Sequence, residues 1–292
     1  MSDWATLTNM NIPLVLSGCY FLPMGIWWLF QATKKFFYCK QRRIEFVSAI
    51  SYPCCQSCQK WPVEGTVKLT SCLIIMVYCF ASSTDFGRAG KITSYSDLSH
   101  GTVFAFFVIC SAIDLTKSVC GKLFLEDLDY AALALAFGVQ GILYGFHVPD
   151  LHAEEWTVNS LMMMSAFSCC IVVIVETRMR TQIFCPVLRA FGLMVLGTWF
   201  LHSSLVLMDP LAIQDKEETH KMVISLSMFY SWHVAVNFIL VVCGWILTYK
   251  CMTLNKCCCV PVGMETGGDA IFLENRIRFD YHMLDRLDSD IE

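Results

Sequence analysis

Charge is what this sequence has little of. Asp, Glu, Lys and Arg make up 16% of its 292 residues, against roughly 25% in soluble domains. The formal net charge of −4 offers no basic surface for nucleic acid, and none is expected as a partner. No short apolar segment with a small-residue cleavage site opens the chain. The first apolar run is long and leads into a basic loop, so it is expected to be retained as a span. A nucleophile elbow, a phosphate-binding loop and a dinucleotide fingerprint are all missing. No HxxxH or HExxH spacing sets two imidazoles on one helix. The sequence thus carries no recognisable catalytic set and names no cofactor. Internal repeats and low-complexity segments are absent too.

What is present is apolar surface in long pieces. Hydrophobic residues reach 56% with a mean hydropathy of +0.54, where soluble domains hold roughly 45–50%. The stretch 185–249 sets the pattern: two apolar segments, 185–208 and 222–249, flank an acidic loop. About 20 apolar residues cross a hydrocarbon core. Spans are predicted at about 12–33, 66–82, 97–119, 130–148, 157–176, 185–208 and 222–249, followed by a polar tail over 250–292. The expected fold is an all-α integral membrane protein, a bundle of seven transmembrane helices. Trp27-Trp28 near the end of the first span suits a membrane interface.

Seven crossings put the termini on opposite faces, here A (N-terminal) and B. Of 21 Lys and Arg, only Arg88, Lys91, Lys216 and Lys221 then fall on face A. Cationic excess marks the cytoplasmic side. The N-terminus is therefore expected outside or in a lumen, and the tail in the cytosol.

The same topology gathers six of the seven histidines toward face A: His100, His147, His152, His202, His220 and His233. An ionisable residue inside a bilayer is expensive and often functional. Histidine is also the commonest metal ligand. Four of these, His100, His147, His202 and His233, could bind zinc, copper or haem, pass protons, or join helices by hydrogen bonds. Toward face B, Asp114 and Glu176 end their spans and Arg189 opens the sixth. Either carboxylate pairing with Arg189, or simple hydration at headgroup level, fits that placement. Gln140, midway along the fourth span, is a further polar contact.

Cysteines crowd face B, where a cytosolic setting keeps thiols reduced. Cys55 and Cys58 have the spacing of half a zinc knuckle, but the second pair is missing. Cys257, Cys258 and Cys259 follow the last span closely, a position for palmitoylation. In the tail, Tyr281-His282-Met283-Leu284 has the form of a tyrosine-based sorting signal, with Tyr281 and Leu284 as the residues a clathrin adaptor would read.

Gly25-Ile26-Trp27-Trp28, Glu64-Gly65, His100 with Thr102, Ile113-Asp114, Gly141-Ile142-Leu143 before His147, Gly197-Thr198-Trp199-Phe200 and Trp232-His233 together resemble the transmembrane protein 45 and epididymal transmembrane protein family. The resemblance implies a multi-pass protein of secretory, endosomal or surface membranes with no established enzymatic activity. It also implies that His100, His147 and His233 are the histidines shared with the family, the subset that a common metal site would use. Departures are Asn9-Met10-Asn11 in place of a Gly-His pair, Gln140 for glutamate, Pro149, Thr157 and Asn159 for histidines, and His202 for glutamine.

Three functions follow as expectations. The first is a non-enzymatic protein acting through membrane partners or trafficking. The second is a membrane hydrolase or redox protein with a metal or haem site in the lumenal half, on His100, His147 and His233. There Asp114 is a remote member, fourteen residues from His100 or about 21 Å along a helix. The third is a proton-linked transporter or channel with a polar path from His233 past Asn237 to Asp114 or Glu176.

Overall fold

The computed structural model describes residues 11–52, 62–85, 91–92, 94–119, 125, 127–146, 153–207 and 216–254. Among the described residues seven helices carry the chain: α1 (Ile12–Arg42), α2 (Val63–Ser83), α3 (Tyr95–Val119), α4 (Leu128–Gly145), α5 (Ala153–Arg178), α6 (Phe184–Val206) and α7 (Lys216–Thr253). Each is long and apolar enough to cross a membrane. This is the seven-helix bundle that the hydropathy pattern predicts. A two-residue antiparallel ladder, β1 (Thr84–Asp85) with β2 (Lys91–Ile92), links α2 to α3.

Local chemistry sets several helix ends. Ser94 accepts the Asp97 N–H at 3.2 Å, an N-cap that satisfies one of the orphan donors of α3. At the end of α1, Arg43 adopts the left-handed conformation (φ 57°). The Ile44 N–H then reaches back to the Cys39 carbonyl at 2.9 Å, a Schellman closure.

α1 runs well past the predicted end near residue 33. Its extension carries Phe36 and Phe37 onto Trp245 of α7, at ring separations of 5.5 and 4.9 Å. Lys34 and Lys35, read from sequence as loop residues, therefore ride on helix. The basic composition marked the edge of the apolar run and not the end of the hydrogen-bonded backbone.

The bundle is organised on the crossing of α1 and α6, its most extensive helix pair. Small residues permit the approach. A Cβ on Gly18 would meet Leu201, one on Gly25 would meet Met194, and one on Gly197 would lie 2.5 Å from the Leu22 nitrogen. These pairs fix an antiparallel crossing. Association without a hydrophobic drive depends on such close packing. α7 is peripheral and covers α1, α5 and α6.

The centre is aromatic. Phe21 stacks on Phe200 at 5.7 Å and meets Phe107 edge-on at 5.3 Å. Phe107 meets Phe137 edge-on at 5.4 Å. Phe104, Phe107, Phe137 and Phe200 are all buried with Phe21, forming one phenylalanine layer across the bundle.

Candidate functional site

Between α1 and α2, residues 44–52 form no helix. They form no strand either, and Phe46, Ser48, Ile50 and Tyr52 are buried in alternation. Period-two burial belongs to an extended chain lying between two environments. This segment enters the B-face mouth of the bundle, and its polar groups are taken up by buried charges.

The first charge group centres on Glu64. Its carboxylate accepts from Trp27 Nε1 (2.8 Å), Trp28 Nε1 (3.0 Å) and the Tyr52 N–H (2.9 Å). Lys68, one turn along α2, lies 3.1 Å from Glu64 and 2.6 Å from Asp114. It also donates to Ser51 Oγ at 3.2 Å. The second group is Arg189 with Glu176, 3.4 Å apart and both with side chains 0% exposed. Arg189 donates to the Ala49 carbonyl at 2.8 Å. The Tyr130 hydroxyl links Ser48 (3.0 Å) to Glu176 (3.4 Å). Trp28 joins the two groups: Lys68 Nζ and the Arg189 guanidinium lie 5.4 and 4.5 Å from its ring, within cation–π range. Outside the spans, burial pushes the Tyr52 phenol up to about 12, so it stays neutral at physiological pH.

The expected choice of partner for Arg189 thus falls to Glu176, while Asp114 goes to Lys68. Sequence reasoning missed Lys68 and Glu64 as site residues. Their signal was an i,i+4 acid–base pair with its lysine inside an apolar run. Trp28 is 3% exposed, not an interfacial anchor, because its indole N–H is committed to Glu64.

Above these charges a cavity of about 10 Å³ is lined by Tyr20, Cys110, Ser111, Lys68 and Asp114, with Phe107 and Phe137 also in its wall. That is room for about one water. On the far side of the phenylalanine layer, Gln140 follows Phe137 by three residues on α4, and Tyr144 follows Gln140 by four. Gln140 is fully buried, and its amide has no hydrogen-bond partner among the described residues. Tyr144 shares a 3.1 Å hydrogen bond with His100 Nδ1. Both line an A-face cavity of about 270 Å³ with Ser96, Ser99, Glu155 and Asn159.

His233 sits elsewhere. It packs on Trp199 and on His202, with ring centroids 5.8 and 5.0 Å away. The next residue, Phe200, faces Tyr144 at 5.9 Å. α6 therefore lies between the His100 and His233 environments. Among the described residues no group of three or more His, Cys, Asp and Glu is placed to hold a metal ion. His147, Cys257, Cys258, Cys259, Tyr281 and Leu284 lie outside the described residues.

Seven apolar helices closing over buried ion pairs define a multi-pass integral membrane protein, with the lipid bilayer as its environment. Residues 126–246 match a family of unknown function, DUF716. The chain is also 22% identical over 139 residues to transmembrane epididymal protein 1 of Rattus norvegicus. That match covers 47% of this chain and 46% of the relative, so the chain spans about half the length of the curated relative it matches. Both findings bear out the family resemblance carried by the sequence motifs.

Proposed function

We propose that the protein is a proton-linked membrane transporter or channel whose path runs from the His100–Tyr144 cavity to the Lys68–Asp114 pair. The observation that carries this reading is a line of polar groups interrupted by one aromatic layer. His100, Tyr144 and Gln140 stand on one side of the layer, and Ser111, Lys68 and Asp114 on the other. A hydrophobic constriction between polar chambers gates by excluding water. The extended segment 44–52 closes the B side beneath it. The path differs from the expected one, because His233 stands on the other side of α6.

In this reading the N-terminus is outside or lumenal, the tail is cytosolic, and the membrane is secretory, endosomal or plasma membrane. Support comes from the excess of lysine and arginine on face B. Membrane-protein partners and clathrin adaptors are assigned to the tail on sequence pattern alone. A metal centre on His100, His147 and His233 has less support, because α6 separates the first from the last.

The test uses purified protein in vesicles loaded with a pH-sensitive dye, driven by a potassium diffusion potential. Proton flux is expected above that of protein-free vesicles. Asp114→Asn should slow it at least tenfold, since Lys68 keeps Glu64 and the fold persists. Phe137→Leu, which thins the layer, should raise it. Flux equal to protein-free vesicles in both wild type and Phe137→Leu overturns the reading.

A further inference from the structure

α6 and α7 run antiparallel, and two rungs join them. Thr198 pairs with Asn237: Asn237 Nδ2 donates to Thr198 Oγ1 at 2.9 Å and to the His233 carbonyl at 2.8 Å. One turn along on each helix, His202 meets His233, with ring centroids 5.0 Å apart and planes at 66°. Residues i and i+4 share a helix face, so His202, His233 and Asn237 belong to one strip of the interface.

Two polar atoms of this strip are buried with no hydrogen-bond partner among the described residues: His202 Nε2 and Asn237 Oδ1. An orphaned acceptor inside a membrane bundle is costly. Trp199 walls the pair, stacked on His202 (5.4 Å, 18°) and edge-on to His233 (5.8 Å, 77°). Its rings hold both imidazoles in place.

We propose that His202 and His233 bind a zinc-class divalent ion between α6 and α7, with the Asn237 side-chain oxygen as a further donor and water completing the shell. Zinc takes neutral imidazole nitrogen and oxygen donors in open tetrahedral sites. No carboxylate or thiol takes part, so the ion keeps its positive charge and binds less tightly than in a structural zinc site. The effect would be to clamp the peripheral helix α7 onto the core. This proposal is independent of the proton path.

The test measures zinc binding to the purified full chain by competition with a fluorescent chelator. Saturable binding of one zinc per chain is expected. His202→Gln or His233→Gln should weaken it at least tenfold, and His100→Gln should leave it unchanged. In the unmutated protein, X-ray absorption at the zinc edge should show two imidazole ligands on the bound ion, a readout that needs no variant to fold. Absence of saturable binding overturns the proposal, as does a bound zinc without two imidazole ligands. So does binding that survives His202→Gln but is lost in His100→Gln, which would move the site to the histidines shared with the family.

Discussion

Arg189→Met is expected to destabilise the protein by roughly 3–5 kcal/mol, the usual consequence of stranding one member of a buried ion pair. Glu176 would remain with the Tyr130 hydroxyl as its hydrogen-bond donor and no cation beside it. The Ala49 carbonyl would lose its donor, freeing the extended segment at its middle. Glu176→Leu should cost a similar amount by stranding the guanidinium. The double variant should recover most of the loss, because replacing a whole buried pair by apolar groups is often neutral or stabilising. By contrast, Lys117→Met breaks a 2.7 Å pair with Asp129 in which the lysine side chain is 33% exposed. That should cost no more than about 1 kcal/mol. Thermal unfolding of the four variants in one detergent, followed by tryptophan fluorescence, decides it. A double variant as unstable as the worse single, or single variants that melt with wild type, would show that the pair is not an energetic unit.

The helices were legible because a bilayer demands internal hydrogen bonding of every spanning segment, and an apolar run of sufficient length has one way to provide it. Where a helix leaves the apolar zone, that demand relaxes. α1 illustrates this: its exit is fixed by Phe36 and Phe37 packing on Trp245, a contact over two hundred residues away in the chain. Asp114, Glu176 and Arg189 were legible as a set at one face. Their pairing was only half legible. Arg189 had two carboxylates within plausible reach, and which one it meets depends on how α3 and α5 are placed around α6. Glu64 with Lys68 went unread, although an i,i+4 acid–base pair entering an apolar run was its signal. The histidines show the opposite case. His202 and His233 come together through the antiparallel register of α6 and α7, which hydropathy does not encode. His100 finds Tyr144 instead of another histidine.

Gly197→Ala is expected to be as damaging as the loss of Arg189, although it adds a single methyl group. The new Cβ would lie 2.5 Å from the Leu22 nitrogen and 2.8 Å from its Cα. Backbone atoms in the middle of a helix cannot turn aside, so α1 and α6 must separate along their whole crossing. Overpacking typically costs about 1–3 kcal/mol and sometimes more, and here it opens the widest interface in the bundle. Gly145→Ala provides the comparison. Its Cβ would also come close, 2.7 Å from Met163 Sδ. That atom is in a flexible thioether chain that can adopt another rotamer. Alanine exceeds glycine in helix propensity by about 1 kcal/mol, so Gly145→Ala should be near neutral. Gly138→Ala, with Cys170 Sγ 3.8 Å away as its nearest neighbour, should be neutral or mildly stabilising. Truncating the neighbour separates the mechanisms further. Leu22→Ala should fail to rescue Gly197→Ala, because the obstructing atoms are common to every residue at position 22. Expression and melting temperature of the three glycine variants should therefore rank by what the methyl group meets and not by distance alone. Equal melting of Gly197→Ala and Gly145→Ala would show that the α1–α6 crossing has slack that its geometry does not suggest.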